Sequence, residues 1–164
     1  MRIEREKPGR SPESVWDYPR PPVVQPTDRH VEVIFCGKTI ADSTRAVRVL
    51  ERSHPPVYYV PLDDVRPGVL EPSGRATYCE FKGEACYYSV TCAGTTTEDA
   101  AWIYESPEPG YEDLAGHVAF YPAKMDECRL DGEVVRAQPG EYYGGWITSD
   151  VTGPFKGEPG TRDW

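Results

Sequence analysis

Apolar and polar residues alternate in short runs along this chain and never settle into a long helical period. In HVEVIFCGKTIADS, Val31, Val33 and Phe35 alternate with Glu32, Ile34 and Cys36. A turn at Gly37-Lys38 then leads into KTIAD, which predicts a β-hairpin. STRAVRVLE admits two readings. Asp42 or Ser43 would cap a helix carrying Ala46, Val47, Val49 and Leu50 on one face, whereas Val47 and Val49 alternating with Arg48 and Leu50 read as a strand. The density of β-branched residues favours the strand. HPPVYYVP is a short strand with proline on each side, and LDDVRPG a turn or a single 3₁₀ turn. RATYCEF and EACYYSV form a second hairpin, DAAWIYES and GHVAFYP two further strands, and MDECRLDGEVV a hairpin around Asp131-Gly132. At least seven short strands and at most one short helix predict an all-β fold, a compact barrel or sandwich of antiparallel strands.

Composition refines this organisation. The 164 residues match one ordinary domain, long enough to bury a core without staples. Eleven tyrosines and four tryptophans replace scarce leucine as core material, and 17 prolines with 15 glycines call for many turns. Residues 1–29 hold six prolines without apolar period and read as an arm, in which Trp16 and Tyr18 should lie against the core or a partner subunit. Residues 30–135 read as the single β domain. Residues 136–164, rich in glycine and aromatics, read as a tail that packs back on it.

A formal charge of −9 repels phosphate backbones and anionic surfaces, so neither nucleic acid nor membrane is an expected partner. No stretch approaches the roughly 20 apolar residues of a membrane span, and the N-terminus has no apolar leader core. A cytoplasmic location is expected. The five cysteines form no CxxC pair, which predicts reduced thiols and no metal or other cofactor.

The stretch TYCEFKGEACYYSV carries the most pointed chemical question. With a two-residue turn at Lys82-Gly83, Cys79 faces Cys86, and Thr77, Cys79, Phe81, Cys86 and Tyr88 share one core-like face. Lys82 then sits at the tip and does not activate Cys79, which is the one candidate nucleophile. His30, His54 and His117 fall in separate segments without a local catalytic motif, and no phosphate-cradling glycine loop is present. Nucleotidyl transfer needs a Gly-Ser turn followed by paired carboxylates; Asp63-Asp64 has no such turn upstream.

Five separated motifs carry a family resemblance: ADS at 41–43, HPPVYYVPLDDV at 54–65, TYCEFKGEACYYSV at 77–90, AAWIYESP at 100–107 and GHVAFYPAKMD at 116–126. Together they resemble the domain of unknown function 427 family, sometimes labelled nucleotidyltransferase-like, over residues about 31–135. The flanking segments look like those of actinobacterial members. The resemblance implies a small, mostly β, barrel-like domain similar to zinc-supported β-tent domains but without the zinc, and carries over no activity.

Three functions follow as expectations. The first is small-molecule binding in a pocket lined by Tyr59, Trp102, Tyr104 and Phe120, with Asp42, Ser43, Asp64, Thr77 and Lys82 as polar contacts. The second is an enzyme acting on a nucleotide or small electrophile through Cys79 or a carboxylate. The third is an assembly module whose terminal arms clasp a partner, giving a homodimer.

Overall fold

A computed structural model of the protein describes residues 12–140, 143–161 and 163–164. The first eleven residues of the arm lie outside the described residues, as do Glu141, Tyr142 and Arg162 of the tail. In chain order the strands are β1 (Glu13–Ser14), β2 (Val23–Pro26), β3 (Val31–Phe35), β4 (Lys38–Ser43), β5 (Val47–Leu50), β6 (Val57–Pro61), β7 (Leu70–Cys79) and β8 (Gly83–Cys92). They continue as β9 (Thr95–Ile103), β10 (His117–Phe120), β11 (Glu127–Leu130), β12 (Glu133–Val134), β13 (Arg136–Ala137), β14 (Trp146–Ile147) and β15 (Val151–Thr152). Among the described residues helix is confined to four single 3₁₀ turns, one of them at Leu62–Asp64 as the LDDV stretch suggested.

Seven strands form one antiparallel sheet in the order β2-β5-β6-β10-β9-β8-β7, and four form a second in the order β12-β11-β3-β4. Neither sheet closes on itself, so the architecture is a sandwich and not a barrel. Segment Val47–Leu50 is a strand, in line with its β-branched residues.

The four-stranded sheet covers one face of the larger sheet. Val31, Val33 and Phe35 of β3 and Leu130 of β11 meet Tyr58 and Val60 of β6 and Val118 and Phe120 of β10 in the main core. Alternation sends the intervening residues to the opposite face. There Tyr59, Tyr87, Trp102, Tyr104 and Ala119 form a second apolar cluster, covered by Tyr111 and Leu114 from the loop after β9. The large sheet is therefore buried on both sides, which explains why adjacent tyrosines at 58 and 59 are both hidden. Its two edges are blunted. Pro26 ends β2, and β7 carries Pro72 and a break in register before Ala76.

Two turns differ from the expected ones. The first hairpin turns at Cys36-Gly37, both with positive φ, because Phe35 pairs with Lys38. The second hairpin has a three-residue loop, Glu80-Phe81-Lys82, with Cys79 opposite Gly83. Cys79 and Cys86 are therefore not partners. Thr77, Cys79, Ala85 and Tyr87 share one face, and Cys86 and Tyr88 lie on the other. Gly83, at φ +107°, closes this loop, and Phe81 is thereby free to pack against the second cluster. The Asp131-Gly132 turn forms as its sequence predicts, with both residues at positive φ.

Arm and tail close the molecule. β1 pairs in parallel with β15, and Val15, Tyr18, Leu50, Ile147 and Val151 form a third small cluster. Trp16 stacks edge-on against Trp164 at 5.0 Å and donates its indole N–H to the Pro154 carbonyl at 2.8 Å. The aromatics of the arm thus lie against the chain's own tail. Among the described residues no helix is long and apolar enough to cross a membrane.

Candidate functional site

The residues singled out in the sequence divide into three groups in space. Tyr59, Trp102 and Tyr104 meet on the second face of the large sheet, Trp102 Nε1 donating to the Tyr59 hydroxyl at 3.2 Å. Thr77 and Lys82 join them: Thr77 Oγ1 is 3.2 Å from the Tyr87 hydroxyl, and the Lys82 ammonium lies 5.8 Å from the Tyr104 ring centre. Phe120 does not join, because strand alternation places it in the main core. The cluster is close-packed, with Gly144 lying so near Trp102 that an added Cβ would sit 2.3 Å from the ring. Burial raises the pKa of Tyr59 and of Tyr104.

Buried Ser43 and partly exposed Asp64 form a separate network. Ser43 Oγ donates to Asp64 Oδ2 at 2.6 Å, and Arg45 grips both oxygens of the same carboxylate at 3.0 Å. Hydrogen bonds from Arg45 and then Ser43 lower the Asp64 pKa. Asp42 belongs to neither group. Its carboxylate meets His30 Nε2 at 2.7 Å, with Glu32 3.8 Å from Nδ1. Ligand atoms of His30, Glu32 and Asp42 lie within 4.8 Å of one another, a spacing that could hold a cation, but they stand at the surface, where a solvated ion pair accounts for them.

Cys79 is half-buried against the aromatic cluster, and among the described residues no hydrogen bond joins its sulfur to a base. The Lys82 ammonium is directed at the Tyr104 ring.

A cavity of about 620 Å³ lies elsewhere, between β2, β5 and β6 of the large sheet and the arm and tail. Strand register builds its wall. Gln25 pairs with Arg48, and Arg48 pairs with Tyr58, so the three side chains form one cross-strand row. Tyr58 and Trp146 make its floor, with ring centres 5.2 Å apart, and both are nearly fully buried. Arg48 Nε donates to Gln25 Oε1 at 2.8 Å, and its two terminal nitrogens reach Glu13 of the arm at 3.2 and 3.3 Å.

Arg29 sits opposite and is only 6 % exposed. Its Nε donates to Asp131 Oδ2 at 2.8 Å, and its Nη2 to Asp150 Oδ2 at 2.5 Å. Burial works against its charge, but the hydrogen bond it donates to Asp131 and the field of its other neighbours outweigh it and raise the pKa. Glu13 shows the complementary balance. Burial pushes its pKa up, yet hydrogen bonds from Tyr18 and Arg48 bring it below the ordinary value. Burial holds the Tyr58 phenol above its usual range.

None of these cavity residues was singled out in the sequence. Arg48 left a faint signal, a charge inside a β-branched run. Arg29 left none, since its partners stand 102 and 121 positions away.

The family model described as "Domain of unknown function (DUF427)" matches residues 23–131. The matched stretch contains Gln25, Arg29, Arg48 and Tyr58, and stops short of Glu13, Trp146 and Asp150. No curated protein matches the chain. With about two thirds of its length matched, the chain belongs to the DUF427 family.

Proposed function

We propose that the protein is a small-molecule-binding domain whose ligand occupies the cavity above Tyr58 and Trp146. The observation that carries this reading is a 620 Å³ space bordered by two nearly fully buried aromatic rings and a buried arginine. Such a volume suits a metabolite-sized ligand, and an apolar floor with few placed polar groups is the usual make-up of such sites. The setting is taken as cytoplasmic, in keeping with five free cysteines.

A second reading places the ligand at the Tyr59–Trp102–Tyr104 cluster, where Thr77 and Lys82 supply polar contacts. Its support is the Tyr104 hydroxyl, which has no hydrogen-bond partner among the described residues, beside the Lys82 ammonium. An opening of about 870 Å³ lined by Pro22, Phe81 and Tyr111 borders that cluster. An enzymatic role through Cys79 and a dimer formed through the arms draw no comparable support.

Native mass spectrometry of freshly purified protein tests the binding reading. The expected result is a retained mass, or one gained from a metabolite extract, that is lost in Tyr58→Ala and kept in Tyr104→Phe. The reverse dependence would move the ligand to the second cluster. A bare chain that gains no mass in the presence of extract would overturn binding altogether.

A further inference from the structure

On the large sheet, two irregularities flank the same stretch of β8. Between Pro72 and Ala76 of β7, residues 73–75 stand opposite Tyr87 alone. Between Thr97 and Ala101 of β9, residues 98–100 stand opposite Ser89 alone. Gly74 takes φ +88° in the first bulge and Asp99 φ +51° in the second, a left-handed conformation that costs energy for a residue other than glycine. Bulges recur next to functional sites, where they re-aim a side chain. Here the β7 bulge carries Arg75 to a cavity of about 540 Å³, and the β9 bulge turns the carbonyls of Glu98 and Asp99 towards Lys124 on the same cavity. Tyr121 and, from the tail, Gln138 and Tyr143 also line it.

The cations of this cavity keep donors in hand. The Arg75 guanidinium lies 4.6 Å from the centre of the Tyr87 ring and 3.9 Å from Asp99 Oδ2, too far for a hydrogen bond. Its side chain makes no hydrogen bond among the described residues, so a stacked fork of donors stands unspent. Lys124 gives two N–H donors to the two carbonyls, at 3.0 and 3.2 Å, and keeps the third. The neighbouring polar groups do not compete for these donors. The Tyr121 hydroxyl is engaged with that of Tyr87, and the Gln138 amide is spent on His54, Lys156 and Gly145.

The local charge has the sign that an anion needs. Among the described residues the lining holds Arg75 and Lys124 and no acidic side chain. Asp99 faces Arg75 loosely from behind, and Glu98 is exposed to solvent. Lys156, 6.0 Å from the Tyr143 ring centre, is held by Trp164 and stays outside this balance. The overall charge of −9 opposes an anion at long range, but charges beyond about 8 Å are largely screened at physiological ionic strength, so the near groups decide.

We propose that this cavity is a second binding site, for a small organic oxyanion held by the Arg75 fork and the Lys124 ammonium, with its apolar part against Tyr121 and Tyr143. Carboxylate and phosphate share the chemistry that such a fork recognises. The site has no lining residue in common with the cavity above Tyr58 and Trp146 and does not depend on it.

Phenyl phosphate, benzoate, benzyl alcohol and benzylamine share a ring and differ in charge. Each is titrated into the full ¹⁵N-labelled chain, with the Ala123 and Gly140 amide signals as reporters. At least one of the two anions should shift both reporters saturably, about tenfold more tightly than benzyl alcohol does. Whether phenyl phosphate or benzoate binds better then names the oxyanion, and either order upholds the site. Arg75→Gln, at an exposed position, should weaken the anion severalfold while leaving the rest of the spectrum unchanged. Asp99→Asn removes the opposing charge with a residue that tolerates positive φ, and should tighten the anion severalfold. Binding of benzyl alcohol or benzylamine as tight as that of the anions would overturn the assignment. So would anion shifts that survive Arg75→Gln undiminished, or that appear at Gln25 and Trp146 instead. Reporters unmoved by all four probes would remove the site and leave the other cavity untouched.

Discussion

At the scale of single residues, the local setting of a side chain decides its chemistry more than its type does. His54 and His30 make the contrast. His54 Nδ1 accepts from the Gln138 amide at 3.1 Å, and its ring lies edge-on to Tyr143 at 5.4 Å. Burial depresses its pKa to about 4, from an ordinary value of 6.5. Between those two values the unfolded chain binds the proton and the folded chain does not. The stability due to neutral His54 is thus complete above pH 6.5 and is lost as the pH falls towards 4. His30 has the opposite sign: its hydrogen bond to Asp42 raises its pKa, so its small, solvent-screened contribution fades as the pH rises through that value. Thermal melts from pH 7.5 down to 4.5 should show a steeper acid loss in the wild type than in His54→Asn. Parallel curves would show that His54 is not kept neutral. None of this was legible in HPPVYYVP, because the contacts that bury the ring come from residues 138 and 143.

Whole elements were more legible, and where they were misread the cause was a loop length. Alternation correctly sent Val31, Val33 and Phe35 to one face, and the Asp131-Gly132 pair marked a two-residue turn through its need for positive φ. In the 77–90 hairpin the sequence KG resembles the same kind of turn, yet Phe81 gains more by packing on the second cluster than by standing in a strand. The loop grows to three residues, Cys79 moves from a place opposite Cys86 to one opposite Gly83, and the odd shift turns one strand over relative to the other. The two sulfurs end on opposite faces of the sheet, where they cannot bridge without breaking the ladder. Oxidation of the folded protein with diamide should therefore yield no Cys79–Cys86 disulfide in peptide maps. Recovery of that cross-link from native protein would restore the two-residue turn. The same register explains the candidate site. Gln25, Arg48 and Tyr58 line up only because three strands pair in one particular way, a fact that no single stretch of sequence contains.

At the scale of the molecule, the matched family segment and the folding unit do not coincide. Residues 23–131 hold both large sheets except for β12, and so look sufficient on the strength of their strands. Yet Trp146, from the tail, is 1 % exposed within the main core, where it packs on Tyr58. Its backbone N–H donates to the Pro56 carbonyl at 2.8 Å, and Val15 of the arm lies fully buried beneath Ile147 and Val151. Losing a buried tryptophan alone costs about 3–5 kcal/mol. The third cluster, the β1–β15 pairing and the Arg29–Asp150 and Arg48–Glu13 ion pairs would be lost with it. Set against a total of about 5–15 kcal/mol for a domain, that is enough to unfold most of the population. A fragment spanning 23–131 should accordingly show no cooperative thermal transition by circular dichroism. Trp146→Ala in the full chain should still melt cooperatively, but about 6–12 °C below the wild type, in line with about 3 kcal/mol for a domain of this size. A fragment that melts as sharply and as high as the full chain would show that arm and tail only decorate a self-sufficient sandwich, and the cavity they complete would then lose its claim to be a constant feature of the fold.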